Sequence, residues 1–122
     1  MKNRKFKFET IEPKLDSLAR CISRIESKKP FTLKELSTNF DLQDIVSVNL
    51  ERSVQQTVDI ATSILTQSDL VVPLTMSESF DRLEQAGWIS TAIATRMKKA
   101  VGFRNLLVHE YESIDWEKSP FF

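Results

Sequence analysis

The stretch from Leu42 to Gln67 contains neither glycine nor proline, and within it Leu50, Val54, Val58, Ala61 and Leu65 recur at steps of three and four. Each residue of an α-helix turns the chain by about 100°, so this spacing gathers the apolar side chains along one side. A helix of that length must have its stripe covered, and the rest of the chain has to supply the cover. The opposite side carries Glu51, Arg52, Gln55, Gln56 and Asp59, which read as a solvated face. The whole chain of 122 residues holds only two glycines, Gly87 and Gly102, and four prolines, too few for a fold built on tight hairpins. A chain this short builds one core. The expected fold is all-α: a single domain over residues 1–122, arranged as an up-and-down bundle of four to five helices.

The flanking segments fit that plan. From Ile11 to about Lys28 the apolar positions Leu15, Leu18, Ala19, Ile22 and Ile25 again follow helical spacing, with Thr10 as the expected cap and Pro13 tolerated in the first turn. Cys21 is expected to be a small core or boundary residue. Lys28-Lys29-Pro30 stops this helix. Thr32 and Glu35 have the spacing of a capping box for one turn ending near Leu36, and Ser37 to Asp41 reads as a break, with Asp41 capping the long helix. Residues 69–75 are expected to form a loop. Ser77 and Ser79 are expected to cap a short helix that ends at Gly87. Trp88 and Ile89 open the last helix, which carries Ile93, Met97 and Val101 with the small Ala94 and Ala100. Gly102 costs this helix about 1 kcal/mol relative to alanine, so a bend, a close helix contact or a ligand is expected there.

Composition narrows the chemistry. Lysine plus arginine and aspartate plus glutamate each total 17, so no global positive field holds nucleic acid, and any RNA must be met by a local patch. A single cysteine and a single histidine cannot supply the three or four ligands of a zinc site within one chain. No Gly-rich phosphate loop or nucleophile elbow occurs, and no cofactor or metal is expected. The basic start MKNRKFKFET has no apolar core behind it, and no run approaches the roughly 18 apolar residues of a membrane span. A cytoplasmic protein is expected.

The segment GFRNLLVHEY remains. At about 100° per residue, Arg104, Asn105, His109 and Tyr111 span an arc of roughly 160°. That arc would put a permanent cation, an amide, an imidazole and a phenol along one cleft. Just upstream, Arg96, Lys98 and Lys99 make the approach locally basic, the kind of patch a phosphate backbone would find. Caps, surface pairs and a satisfied core histidine would account for the same four residues without any catalysis.

The Arg, four residues, His, one residue, Tyr pattern of Arg104, His109 and Tyr111 resembles the signature of the HepT-like toxins, a branch of the HEPN superfamily. Asn49-Leu50-Glu51-Arg52 with Val58-Asp59-Ile60-Ala61 resembles the family's central helix, and Ser79-Phe80 through Leu83 and Gly87 resembles the approach to the motif helix. The resemblance implies a HEPN-like bundle and a metal-independent endoribonuclease acting as a homodimer, with catalytic Arg104, Asn105 and His109 and with Arg96, Lys98 and Lys99 along the RNA. It also implies a nucleotidyltransferase antitoxin that inhibits the toxin by attaching AMP to Tyr111. The alternative is a noncatalytic helical subunit that accompanies such a nucleotidyltransferase. Family members continue from the motif into a further helix, whereas here residues 112–122 follow, closing Ser119-Pro120-Phe121-Phe122. The expected consequences are exposed core surface, a weakened dimer or a degenerate toxin, unless the final phenylalanines dock across the bundle.

Overall fold

A computed structural model describes residues 7–118, so the expectation for the final phenylalanines lies outside the described residues. Five α-helices follow in order: α1 (Glu12–Glu26), α2 (Leu33–Thr38), α3 (Phe40–Gln67), α4 (Met76–Gln85) and α5 (Thr91–His109), with short 3₁₀ turns at Phe8–Thr10, Tyr111–Ser113 and Trp116–Lys118. No strand occurs among the described residues. The long helix forms where its stripe predicts it, and α1, α2, α4 and α5 gather around it.

Two apolar clusters divide α3 between them. Its C-terminal half brings Val54, Val58, Ala61 and Leu65 against Phe80 and Leu83 of α4 and Ala94 and Val101 of α5. Its N-terminal half brings Leu42 and Val46 against Leu36 of α2, Phe103 and Leu107 of α5 and Trp116 of the tail. The pairing of early α3 with late α5 means that the two helices run in opposite directions. The motif at the end of α5 therefore sits beside the start of α3. Phe80, Leu36 and Leu65 are almost wholly removed from solvent, each burial worth roughly 1.5–3 kcal/mol by the area it hides.

Capping differs from the expected residues in three places. Thr10 does not cap α1; its hydroxyl donates to the Lys7 carbonyl, and Ile11 holds the N-cap position without a side-chain bond. Asn39, not Asp41, caps α3 by accepting from the Leu42 amide at 3.0 Å. Asn39 is the residue with extended backbone, which aims its side chain at the free amides. Thr75, not Ser77 or Ser79, caps α4 by accepting from Glu78 N–H; Ser79 is buried inside the helix. The Thr32 cap of α2 forms as expected, accepting from Glu35 N–H at 3.0 Å.

The buried strip of α1 also shifts. Cys21 and Ile25 are buried, while Ile22 is about half exposed and Ala19 is exposed. Because α1 packs chiefly along α3, its strip is narrow and Ile22 falls off its edge. Gly87, at φ +83°, ends α4 in a Schellman turn in which Trp88 N–H donates to the Leu83 carbonyl at 2.9 Å. After His109 the chain folds back in its two 3₁₀ turns, and Trp116 closes the second cluster. Its ring meets Phe103 edge to face at 6.4 Å and Tyr111 at 5.9 Å. The buried Trp116 covers this end of the core.

Candidate functional site

Ser90 starts α5 by accepting from the Ile93 amide, and the helix runs without interruption to His109. Gly102 lies inside it, exposed, and a β-carbon added there would meet nothing within 4 Å. No close contact within the described residues accounts for the glycine.

The helix ends sooner than the arc argument requires. His109 is the last helical residue, and Tyr111 begins a separate 3₁₀ turn, so the four motif side chains do not follow one helical progression. Arg104 is half-buried, and its guanidinium donates through Nη1 to the Asn105 side-chain oxygen at 3.2 Å. Its Nε–H is buried without a hydrogen-bond partner, a donor whose desolvation is uncompensated until an acceptor arrives. Asn105 and His109 are exposed. Their side chains are therefore open to a ligand.

Tyr111 turns toward α3 instead. Its phenol donates to Asp44 Oδ1 at 2.8 Å, a contact made across 67 positions of sequence, while the ring rests against Trp116. Burial raises the phenol's pKa above its ordinary value of 10.0, and the Asp44 hydrogen bond adds to this, partly opposed by the neighbouring Ser47 hydroxyl. Tyr111 and Asp44 share the wall of an open cavity of about 500 Å³ together with Phe40, Gln43 and Glu112. Asp44 carries no spacing relation to the motif, and only the tertiary fold reveals it.

The upstream cations divide. Arg96 and Lys99 are exposed. Lys98 is tied to Asp81 of α4 by a 2.8 Å ion pair, whose hydrogen bond and charge raise the lysine's pKa. Lys99 also borders a second hollow of about 400 Å³ on the flank of α5, floored by Phe103, Leu106 and Ile114. Several apolar side chains of α5 face outward as well: Ile93, Leu106 and Val108 are each nearly half exposed. A helix with apolar residues on more than one side has more surface to cover than its own chain covers.

No group of His, Cys, Asp and Glu that could hold a metal occurs among the described residues. No helix among them is long and apolar enough to cross a membrane.

Comparison with known proteins agrees with this fold. The chain is 34% identical over 102 residues to the mRNA nuclease HepT of Shewanella oneidensis, covering 84% of this chain and 76% of that protein. It is 28% identical over 105 residues to the tRNA nuclease HepT of Aphanizomenon flos-aquae, covering 86% and 71%. Among solved structures, the tri-AMPylated Shewanella oneidensis HEPN toxin in complex with its MNT antitoxin superposes with a TM-score of 0.77 at 36% identity, over 83% of this chain and 75% of that one. A toxin–antitoxin complex with AMP-PNP superposes with a TM-score of 0.79 at 32% identity, over 87% and 80%. The profile of the ribonuclease HepT-like family matches residues 18–119, a span that holds α3, α4, the α5 motif and the tryptophan-closed tail, and the chain belongs to that family.

Proposed function

We propose that this chain is the toxin of a toxin–antitoxin pair: a metal-independent endoribonuclease that works in the cytoplasm as a homodimer and is silenced by AMP transfer to Tyr111. The observation that carries the reading is the exposed His109 at the end of a helix that also presents Arg104 and Asn105. Relatives named as mRNA and tRNA nucleases, and a relative solved tri-AMPylated with its antitoxin, support it.

RNA cleavage of this kind needs a base for the ribose 2′-hydroxyl proton, an acid for the departing oxygen and a cation for the charge building on phosphate. One chain has a single histidine. A two-fold dimer supplies the second, so that one imidazole withdraws the proton and the other returns one. Arg104 steadies the phosphate with the charge of its guanidinium. Asn105, bonded to Arg104, orients that guanidinium. The half-exposed Ile93, Leu106 and Val108 with the bare backbone at Gly102 favour α5 as the helix that meets its symmetry copy. Arg96 and Lys99 track flanking phosphates, and Lys98 joins them only on leaving Asp81.

AMP on Tyr111, two positions beyond His109, would add bulk and phosphate charge beside the site where RNA must lie. Arg104→Ala and His109→Ala should each lower RNA cleavage at least ~100-fold while leaving the helical circular dichroism spectrum unchanged. Cleavage by both purified variants at the wild-type rate would refute the assignment. A noncatalytic subunit would leave no wild-type cleavage to lose.

A further inference from the structure

Asp44 stands where the chemistry of modification needs a carboxylate. Its Oδ1 already accepts the Tyr111 phenol hydrogen at 2.8 Å, within the reach that a general base requires in the ground state. Asp44 is exposed rather than locked in the core, and both residues open onto the same cavity of about 500 Å³. A nucleotide brought by another protein can therefore reach the phenol without unfolding the bundle. The aromatic edge of Trp116 fixes the other side of the ring at 5.9 Å, so the hydroxyl is both held and oriented.

We infer that Asp44 is a catalytic residue of the toxin's own modification: it presents the Tyr111 oxygen and takes its proton as a nucleotidyltransferase transfers AMP from ATP. The inference rests on the reading of Tyr111 as the modified residue. In the step, the phenolic oxygen attacks the α-phosphorus of ATP and forms the new O–P bond. The bond between that phosphorus and the bridging oxygen of pyrophosphate breaks, and pyrophosphate leaves with the electron pair. The phenol proton passes to the Asp44 carboxylate and from there to water.

The need for an acceptor is built into the surroundings. The charged groups acting on the phenol are Asp44 and Glu51 from α3, with Glu112 of its own turn on the cavity wall. The other neighbours, Ser37 of α2 and Trp116 of the tail, are uncharged. Among these, all the charges are negative. A free phenolate is disfavoured there, so the proton has to leave as the O–P bond forms rather than before it. The acceptor must then already be in contact, and Asp44 is.

The test compares wild type, Asp44→Asn and Tyr111→Phe as substrates of a purified MNT-type nucleotidyltransferase antitoxin, with Mg-ATP, following mass gain over time between about pH 6 and pH 9. Asparagine keeps the shape and can still accept the hydrogen bond but cannot take the proton. Asp44→Asn should be modified about 100-fold more slowly at neutral pH. The gap should narrow by up to about tenfold per pH unit as hydroxide replaces the lost base, while KM for ATP stays unchanged. Equal rates for wild type and Asp44→Asn overturn the role, and so does a slowing that is constant across pH, which marks a merely structural contact. Failure of the underlying reading looks different: wild type gains no mass, or Tyr111→Phe gains as much as wild type. Matching melting curves confirm that the variants are folded.

Discussion

Tyr111 has two neighbours that no local spacing announces: Asp44 on the first turns of α3 and Trp116 in the tail. Burial and the hydrogen bond to Asp44 favour the neutral phenol and raise its pKa. The folded chain then holds this proton more tightly than the unfolded chain does. The stabilisation is complete below about pH 10, the unfolded phenol's value, and is lost as pH climbs through the higher folded value. Unfolding free energy measured above pH 10 should accordingly fall more steeply for wild type than for Tyr111→Phe; parallel curves would contradict the linkage. Gly102 offers a second test at this scale. Its added β-carbon meets open space within the chain, so Gly102→Ala should stabilise the dilute monomer by about 1 kcal/mol in denaturant unfolding. A loss of stability would show that the position is already packed.

Among the elements, helix existence was far easier to read than helix ends. The stripe of α3 and the spacing of α5 depend on a period that many residues repeat, so one misplaced side chain does not erase it. A cap depends on one residue's backbone. Ser37, Thr38, Asn39 and Asp41 are all chemically fit to cap α3, and the choice of Asn39 follows from its extended φ and ψ between two packed helices. Asn39→Ala should therefore cost about 1 kcal/mol, and Asp41→Ala about half of that through the helix dipole alone. Thermal melts of the two variants check the order, and a larger loss for Asp41→Ala would reverse it. The tail carries no period to read: among Glu112, Asp115 and Glu117, Trp116 is buried against Phe103. One aromatic anchor needs no periodicity to be held.

For the molecule as a whole, the motif was visible because its residues lie close together in sequence, and the helix that carries most of it forms, though it opens at Thr91 behind the Ser90 cap and not at Trp88 and Ile89. The arc argument failed at the helix end, where Tyr111 turns to α3. Asp44 and the Lys98–Asp81 pair were invisible because both join segments that only tertiary packing brings together. In the proposed reading the active assembly lies one level higher, because each chain brings one imidazole to a cleavage that uses both a base and an acid. Wild-type chains mixed and re-equilibrated with His109→Ala chains at fixed total concentration measure this directly. If both imidazoles of a dimer act on one strand, RNA cleavage should fall as the square of the wild-type fraction. A fall in simple proportion to that fraction would show that each chain cuts alone and would contradict the shared cleft.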